Sequence, residues 1–475
     1  MNTGLLLRVA LAARRQERSS RWSREALRAH QERMLAGLRR FVVERSAFYR
    51  AFHRGLEGRP LHELPVLTKA TLMAEFDSVL TEPALRLADL EAHLAGAQAA
   101  QPYRGRYTVL STSGSTGLRG VFVFDRSEWV QALAAILRPL QWAEAPPPWT
   151  RPRSALIASG ANWHYSAQVG RSLQSRWIPA LRLDAALPLA DLVTALNAFQ
   201  PVALAAYPSV LLQLAEEQLA GRLRITLAHI GTSAERLPAA TRERARAAWG
   251  IAVFDTYGAT EYAPIASECR AGNLHLFEDR AIVEVVDDRG RLVPPGAPGA
   301  RLLLTVLDRR TQPLIRYEIS DGVRERPGRC ACARPFRMLE AIEGRVEETL
   351  AFEAVNGGGT GAANGTGTAN GIGAPGRGRT GVELHPNALH DLLERVPASG
   401  WQVRQQGDGA LTVLLTGPVQ AGVADALRGQ LVALLDQRGA RCPAIDVQWV
   451  ETLPRGASGK APLIVRTTEP ARRAA

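Results

Sequence analysis

The sequence predicts an α/β protein: a large N-terminal domain with parallel sheets and a small antiparallel sheet or barrel, followed by a small, mobile α+β lid domain at the C-terminus. Two observations carry this prediction. From residue 154 to residue 258, apolar runs of strand length alternate with helical runs of about ten to thirteen residues, the pattern of crossover units in a parallel sheet. After residue 275 the chain changes to short alternating runs separated by Asp-Arg-Gly and Pro-Gly turns, which is typical of antiparallel strands.

The first part of the chain is predicted to be helical over residues 5–57, and a short helix capped by Thr68 follows. The N-terminal residues are rich in arginine and contain no acid before Glu17, so a transit peptide is an alternative interpretation. An amphipathic helix is favoured because the helical pattern continues through Arg24 to Arg40. No apolar run approaches the roughly 20 residues that a membrane span requires, so no membrane partner is expected.

The parallel sheet is predicted from strand-like runs and the helical runs between them. The strand-like runs are SALIAS, VALAAY, ITLAHIG and IAVFDTYG. The helical runs are ADLVTALNAF, SVLLQLAEEQLAG and AATRERARAAWG. The first helix stops before Pro201, and the other two end at Gly221 and Gly250, which are ordinary stop signals.

The chain is predicted to divide at a hinge. Residues 1–345 form the N-terminal core, residues 346–352 the hinge, and residues 382–475 a compact α+β lid domain. Between hinge and lid, residues 353–381 consist almost entirely of glycine, asparagine, threonine and alanine. Such a composition cannot build a core, so this segment is predicted to be a disordered loop.

The composition excludes some classes of protein. The chain has 475 residues, 46% of them hydrophobic, and a formal net charge of +12. A nucleic-acid binder would explain that charge, but the arginines are scattered and do not interleave with aromatic residues. A diffuse compositional bias is favoured, and no nucleic-acid partner is expected. The four cysteines are too few for a disulfide framework, so the cytoplasm is the expected location.

Lysine is almost absent from the chain. Of the 58 lysines and arginines, only Lys69 and Lys460 are lysine. Lysine is a compact charge with three rotatable donors, whereas arginine is a planar fork, so a retained lysine indicates chemistry that arginine cannot perform. Lys460, in the turn LPRGASGKAPL, is a candidate for that chemistry, with a solvated turn lysine as the alternative. For Lys69, packing at the start of a helix is the favoured interpretation.

A loop of hydroxyl and glycine residues lies between two strand-like runs. Its members are Ser111, Thr112, Ser113, Gly114, Ser115, Thr116 and Gly117. Hydroxyls, exposed backbone amides and glycines that allow close approach suit phosphate oxygens. The loop lacks the Gly-Lys-Ser/Thr of a Walker motif, and taken alone it is equally consistent with a linker.

Four further motifs follow this loop in a fixed order. They are DTYGATEYAP at 255–264, IRYEISDG at 315–322, IEGRVEETL at 342–350 and LPRGASGK at 453–460. In this order and spacing the chain resembles the adenylate-forming superfamily of acyl-CoA synthetases, adenylation domains and luciferases. The segments SAFYRAFHRG, LHELPVLTKATL and LHPNALHDLLE resemble the phenylacetate–CoA ligase branch. The glycine-rich segment interrupts a stretch that runs unbroken in that family.

The resemblance implies ATP and Mg²⁺ as cofactors and a set of nucleotide contacts. The loop Ser111–Gly117 would hold the β- and γ-phosphates of ATP. The other implied contacts are Tyr257 and Gly258 with adenine, Glu235 at the nucleotide border, Thr260 with phosphate, Glu261 with Mg²⁺, Asp321 with the ribose hydroxyls and Arg345 near the ribose. Lys460 would reach between the substrate carboxylate and the α-phosphate. Positive charge so placed would stabilise the negative charge that gathers as pyrophosphate leaves.

The resemblance also implies a second step, in which the lid rotates and a thiol attacks the acyl adenylate. The thiol would belong to coenzyme A or to the phosphopantetheine of a carrier protein, and the acid would be an aryl or arylacetic acid. Glu347 would be the hinge residue, where the family usually has aspartate, and Arg119 stands near a position that is lysine in many relatives. The expected assembly is a monomer or homodimer. A degenerate relative that binds nucleotide without turnover is the alternative.

Two candidate substrate-pocket residues and one candidate metal site complete the prediction. His164 and Tyr207 would line the acyl pocket, with ordinary packing as the alternative for each. The metal site would combine Cys269, His275, Cys330 and Cys332, a set that suits tetrahedral structural zinc. Some relatives in the resembled branch carry a similar cluster. Reduced cysteines beside a surface histidine are the alternative interpretation.

Overall fold

The structure is a computed structural model that describes residues 3–96, 99–112, 119–146, 150–174, 179–345, 350–354, 381–384, 389, 392–393, 395–398, 400–455 and 461–466. It divides into two compact units. The larger comprises Met1–Glu347 together with Arg455–Ala461, and the smaller comprises Glu348–Pro454 with Pro462–Ala475. None of the described helices is long and apolar enough to cross a membrane.

Helices make up most of the N-terminal part of the larger unit. They are α1 (Thr3–Ser19), α2 (Arg24–Arg45), α3 (Ala47–Phe52), a 3-10 turn (Leu61–Glu63), α4 (Lys69–Ala74), α5 (Phe76–Val79), α6 (Leu87–Ala95) and α7 (Arg126–Trp142). Side-chain oxygens of Ser23, Ser46 and Thr68 accept backbone N–H bonds at the starts of α2, α3 and α4. The caps at Ser23 and Ser46 divide the helical run predicted over residues 5–57 into separate helices. The cap at Thr68 confirms the predicted start of the short helix that follows.

A ten-stranded sheet forms the centre of the larger unit, and half of it is parallel. This half contains β3 (Ser154–Ala158), β4 (Ala180–Asp184), β5 (Ala203–Ala206), β6 (His229–Ser233) and β7 (Val253–Tyr257). Their order is β7-β6-β5-β3-β4, and each neighbouring pair is parallel. The intervening helices are α8 (Tyr165–Ser172), α9 (Leu189–Phe199), α10 (Pro208–Leu219) and α11 (Ala239–Trp249). The predicted crossover pattern is therefore confirmed.

The antiparallel strands continue the same sheet, which the sequence did not indicate. Beyond β7 the order is β8 (Ala266–Glu268), β9 (Leu274–Leu276), β15 (Met338–Arg345), β14 (Asp321–Arg326) and β11 (Pro298–Gly299). A separate three-stranded antiparallel sheet contains β10 (Ala281–Val286), β12 (Arg301–Val306) and β13 (Tyr317–Ile319). The hairpin of β1 (Thr108–Ser111) and β2 (Val121–Phe124) carries the hydroxyl-rich loop.

The smaller unit has the predicted α+β composition. One sheet contains β16 (Leu350–Ala354), β17 (Gly381–Leu384) and β20 (Ala440–Arg441). The other contains β18 (Gly400–Gln405), β19 (Leu411–Thr416), β21 (Ile445–Trp449) and β22 (Ile464–Arg466), and the unit also contains α12 (Val423–Gln437). The apolar side chains of α12 share one core with these strands.

The ends of the glycine-rich segment lie on neighbouring strands. Strands β16 and β17 pair antiparallel, with Leu350 opposite Leu384 and Glu353 opposite Gly381. Residues 355–380 between them lie outside the described residues. The segment therefore connects the two arms of a hairpin, and its two attachment points are fixed by one hydrogen-bonded ladder.

Candidate active site

Most of the candidate residues lie at one edge of the ten-stranded sheet. Because β3, β5, β6 and β7 are parallel, their carboxyl ends share this edge. The residues that follow those ends include His164, Tyr207, Glu235 and Gly258. In open α/β sheets, ligands bind in the crevice outside the carboxyl ends of the strands. We refer to this edge as the ligand edge.

Tyr257 and Asp321 are joined by a short hydrogen bond although they are 64 residues apart. The Tyr257 hydroxyl donates to Asp321 Oδ2 at 2.6 Å. The sheet order places four strand-to-strand steps between β7 and β14, which in a flat sheet is about 19 Å. The antiparallel half must therefore curl back towards the ligand edge. Register shifts in the β14–β15 ladder supply local bends of the kind this requires.

Arg345 lies directly across from Asp321 in this ladder. The two residues are Cα partners at the point where β14 begins and β15 ends. The backbone thus brings together two of the residues that the motifs assign to the ribose. Glu347, the predicted hinge residue, lies outside the described residues.

The carboxylate of Glu261 is buried, and a hydrogen bond from Tyr317 orients it. The Tyr317 hydroxyl donates to Glu261 Oε1 at 3.1 Å, and the Arg309 guanidinium donates to the Glu261 carbonyl. Burial, with Glu261 beside it, raises the pKa of the Tyr317 hydroxyl well above its ordinary value, so tyrosine remains a donor. Among the described residues no group donates a hydrogen bond to Glu261 Oε2. A carboxylate oxygen of this kind is a ligand that Mg²⁺ prefers. Thr260 is half-buried directly before it.

Gly258 begins the tight reversal that leads from Tyr257 to Glu261. A Cβ atom at this position would lie 2.9 Å from the Cβ of Ala263. A larger residue would force the reversal open. The glycine is therefore required by close approach of the chain to itself.

The base of the hydroxyl-rich loop is held closed by side chains, and we call residues 111–112 and 119–120 the loop neck. Thr112 Oγ1 accepts the Gly120 amide at 2.8 Å, and Ser111 Oγ donates to the Gly120 carbonyl at 3.0 Å. Arg119 Nε donates to Ser111 Oγ at 2.6 Å. Ser113, Gly114, Ser115, Thr116 and Gly117 lie outside the described residues.

Lys69 contacts the loop neck, which differs from the predicted role of helix packing. It is the first residue of α4, and its ammonium donates to Thr112 Oγ1 at 3.2 Å. The contact joins residues 43 positions apart, so no local pattern could indicate it. The low lysine content of the chain was the one signal that pointed to this residue.

Glu235 accepts the backbone amide of Ala461, the residue that follows the second lysine in the sequence. Its Oε1 accepts the Ala461 amide at 2.8 Å and its Oε2 accepts the Ser209 amide at 3.0 Å. Arg455 lies in the same segment and donates to Ser209 Oγ at 3.1 Å. Burial raises the pKa of Glu235, and the bonds from Ser209 and Ala461 oppose that rise. Lys460 itself, next to Ala461, lies outside the described residues.

The two candidate pocket residues have structural hydrogen bonds at the ligand edge. His164 Nδ1 lies 2.8 Å from Ser166 Oγ, at the start of α8. Tyr207 accepts the Ser159 amide at 2.9 Å, and burial raises the pKa of its hydroxyl to about 12. Both side chains therefore fix the loop between β3 and α8, which is consistent with the packing interpretation as well as with a pocket wall.

Three cysteines and one histidine lie close together in the antiparallel half of the sheet, in or beside β8, β9 and the turn after β14. The ligand atoms of Cys269, His275, Cys330 and Cys332 all lie within 4.8 Å of one another. Sγ of Cys269 is 3.6 Å from Sγ of Cys330, and Sγ of Cys332 is 3.3 Å from His275 Nε2. His275 Nδ1 lies 3.2 Å from the Phe336 carbonyl oxygen, which directs Nε2 into the cluster. Three thiols and one imidazole in this arrangement fit a tetrahedral zinc ion.

The chain is similar to known AMP-binding enzymes. The AMP-binding enzyme family profile matches residues 178–303. Phenylacetate-coenzyme A ligase of Thermus thermophilus is 27% identical over 345 residues, covering 70% of this chain and 73% of that protein. Phenylacetate-coenzyme A ligase of Escherichia coli K12 is 32% identical over 167 residues, covering 33% of this chain and 37% of that protein.

A solved structure shares the fold over nearly the whole chain. It is 2-hydroxyisobutyryl-CoA ligase in the postadenylation state, in complex with R3-HIB-AMP. The TM-score is 0.67, and the match covers 94% of this chain and 91% of that one. The sequence identity is 17%, so this similarity concerns the fold alone.

Proposed function

We propose that this chain, which is similar to AMP-binding enzymes and to phenylacetate-coenzyme A ligases, is an adenylate-forming ligase. It would activate a carboxylic acid with ATP and transfer the acyl group to the thiol of coenzyme A. The observation that carries the proposal is the contact between Tyr257 and Asp321. These residues stand in two motifs that the family uses for adenine and ribose, and the fold brings them within hydrogen-bond distance at the edge where α/β sheets bind ligands.

The described residues divide the work of binding a nucleotide. The Tyr257 hydroxyl orients Asp321, and the Tyr257 ring would contact the adenine. The Asp321 carboxylate would accept hydrogen bonds from the ribose hydroxyls. Glu261, with Thr260 before it, would hold Mg²⁺, which when bound supplies positive charge beside the phosphates. The loop neck would hold the hydroxyl-rich loop against the β- and γ-phosphates.

The reaction begins when a carboxylate oxygen attacks the α-phosphorus and pyrophosphate leaves with the electron pair of the broken bond. Lys460 would place a compact positive charge between the two reacting groups. The residue after it, Ala461, donates its backbone amide to Glu235, which follows β6 at the ligand edge. The thiol, having lost its proton to solvent, then attacks the acyl carbon. The bond from that carbon to the phosphate oxygen breaks, and AMP leaves with the electron pair. In the first step, the positive charge of Lys460 would reduce the electrostatic repulsion between the substrate carboxylate and the α-phosphate.

The acid is proposed to be an aryl or arylacetic acid, because relatives that the chain matches are phenylacetate-coenzyme A ligases. His164 and Tyr207 would form part of the pocket wall at the ends of β3 and β5. The acyl acceptor is proposed to be coenzyme A, and a carrier-protein phosphopantetheine would present the same thiol to the same site.

A pyrophosphate-release assay across a panel of carboxylic acids tests the proposed function. Release should require ATP, Mg²⁺ and one class of acid, and Lys460→Ala should abolish it while leaving the fold intact. Undiminished release by that variant would remove Lys460 from the mechanism. Calorimetry with ATP separates the degenerate alternative, because binding without release for any acid would contradict turnover.

We also propose that the Cys–His cluster binds structural zinc. Metal analysis of the purified protein should give about one zinc per chain, and Cys332→Ser should lower it. Cys442 lies outside the cluster, so Cys442→Ser is the matched control and should retain the metal. Less than about a tenth of an equivalent in a folded wild-type sample would refute the site.

A further inference from the structure

Helix α1 turns two leucines and four arginines towards solvent. Leu7 and Leu11 are 63% and 49% exposed. They stand one turn apart, and Arg14 and Arg18 continue the same stripe at helical spacing. The exposed large side chains of the helix, which we call the α1 face, are Leu7, Arg8, Leu11, Arg14, Arg15 and Arg18. This face therefore has an apolar half nearer the start of the helix and a basic half nearer its end.

The buried side of α1 fixes the orientation of the α1 face. Val9, Ala12 and Ala13 are buried in the core of the larger unit, where α1 packs against α7. At the end of the helix, Ser19 Oγ donates to Asp279 Oδ2 at 2.7 Å. The helix cannot rotate about its axis without breaking these contacts. The two leucines are therefore held in water, and an apolar group kept exposed in this way indicates a surface for a partner.

The α1 face is positively charged, and its charges are not neutralised. Residues 3–21 contain five arginines and one acid, Glu17, which gives +4 of the net charge of +12 of the whole chain. Within the described part of the chain, the guanidinium groups of the four arginines of this face form no ion pair and no hydrogen bond. Several unpaired cations on one surface attract anions more strongly than scattered ones.

The chemistry of the α1 face favours an anionic lipid surface over other partners. A second copy of the chain would bring four more arginines against these four, which like-charge repulsion opposes. A nucleic acid presents mainly phosphates on its outside, which would leave Leu7 and Leu11 in water. At a lipid surface, arginines bind headgroup phosphates while leucines enter the boundary between headgroups and acyl chains. Contact of this kind needs no helix that spans the membrane.

We propose that the α1 face binds the surface of membranes that contain anionic phospholipids, with α1 lying in the plane of the interface. The four guanidinium groups contact lipid phosphates, and the side chains of Leu7 and Leu11 insert beside them. The apolar stems of the arginines add to the buried area. The binding is reversible, no covalent bond forms or breaks, and it does not depend on the proposed reaction with ATP.

Co-sedimentation of the full chain with lipid vesicles tests this proposal. Vesicles of phosphatidylcholine and phosphatidylglycerol in a ratio of about 3:1 serve as the anionic surface, and pure phosphatidylcholine serves as the neutral one. At about 0.05 M salt and about 1 mM lipid, roughly half of the protein should sediment with the anionic vesicles and far less with the neutral ones. Raising the salt to about 0.5 M should release most of it, because the Debye length falls to a few ångströms.

Two groups of substitutions separate charge from apolar insertion. Arg14→Gln, Arg15→Gln and Arg18→Gln together should lower the partition coefficient on the order of 100-fold, since each arginine near an anionic surface contributes about a fivefold factor. Leu7→Ser with Leu11→Ser removes the apolar half and should lower it about 10-fold or more. All five side chains are exposed, so both variants should keep the wild-type melting temperature to within about 2 °C.

Matched controls change the same residue types on other surfaces. Arg45→Gln, Arg54→Gln and Arg246→Gln together remove the same net charge from exposed positions in or beside α2, α3 and α11. Leu292→Ser removes a leucine that is 54% exposed. Both controls should bind anionic vesicles within about threefold of wild type, because charges away from the lipid surface are screened by salt.

The outcomes are distinct. A wild-type protein that stays in the supernatant with anionic vesicles at low salt, or that binds neutral vesicles equally well, would overturn the proposal. An equal loss of binding in the arginine control would overturn it too, because net charge alone would then explain the binding. Analytical ultracentrifugation tests the competing occupant: a wild-type dimer that Leu7→Ser with Leu11→Ser converts to a monomer would assign the α1 face to a second copy and refute the lipid assignment. None of these measurements requires turnover, so failure of the proposed function would leave them unchanged.

Discussion

Loss of one partner of the buried ion pair between Arg138 and Asp279 should strongly destabilise the larger unit. Arg138 Nη1 donates to Asp279 Oδ1 at 2.8 Å, and Nη2 donates to Oδ2 at 2.7 Å. The side chains are 1% and 5% exposed. Ser19 Oγ also donates to Asp279 Oδ2, and Arg138 Nη2 donates to the Gln16 carbonyl. The pair therefore joins α1 and α7 to the segment that precedes β10.

Removal of one partner leaves a buried charge without compensation, which costs about 3–5 kcal/mol. We expect Arg138→Met to lower the free energy of unfolding by about that amount, because the Asp279 carboxylate would retain only the Ser19 donor. The double variant Arg138→Met with Asp279→Leu removes both charges. It should recover about 2 kcal/mol or more of the loss, which is the interaction energy of a coupled pair.

Urea unfolding of the wild type, both single variants and the double variant measures this interaction. Burial alone would raise the pKa of Asp279, but the Arg138 guanidinium holds it below its ordinary value. The stabilisation is therefore present above the unfolded-state pKa, about 4, and is lost as the pH falls through the lower folded-state pKa. Additive effects of the two substitutions at pH 7, or a loss that does not shrink at low pH, would refute the reasoning.

Three other predictions follow from particular contacts. Tyr257→Phe removes the donor to Asp321 and should raise the KM for ATP about 10-fold in the pyrophosphate-release assay, and an unchanged KM would contradict the ribose assignment. Burial raises the pKa of Asp255 to about 7, so the folded state loses stability as the pH rises from about 4 to about 7. Asp255→Asn should therefore gain stability over wild type in urea unfolding at pH 8 but not at pH 4. Replacement of residues 355–380 by a four-residue turn should stabilise the smaller unit by about 1.7 kcal/mol if they are as unstructured as their composition predicts. A destabilised variant in urea unfolding would indicate a folded role for the segment.

Most of the parallel half of the sheet was predictable because its information is local, although strand β4 was not predicted. Apolar runs bounded by turn residues gave β3, β5 and β7 to within a few residues. The run ITLAHIG was displaced: β6 covers His229–Ser233, whereas Ile225 and Leu227 are buried outside any strand. An apolar run indicates burial, and a strand and an extended core segment bury the same residues.

Non-local contacts could not be predicted from the sequence. The alternating pattern correctly indicated antiparallel strands after residue 275, but a strand's sequence does not specify its neighbour, so the continuation of β7 into β8 was missed. For the same reason the contact of Lys69 with Thr112 was missed. The Cys–His cluster was the exception, because four ligand-type residues in two short segments indicate a shared site before any fold is known.

Strand β14 is anchored at both of its ends. Its first residue, Asp321, bonds to Tyr257, and the turn beyond its last residue, Arg326, carries Cys330 and Cys332. The ligand edge and the Cys–His cluster thus lie at opposite ends of one six-residue strand. We expect chelation or thiol oxidation at the Cys–His cluster to disturb Asp321 at the other end of the strand, and so to change the affinity for ATP in the proposed reaction.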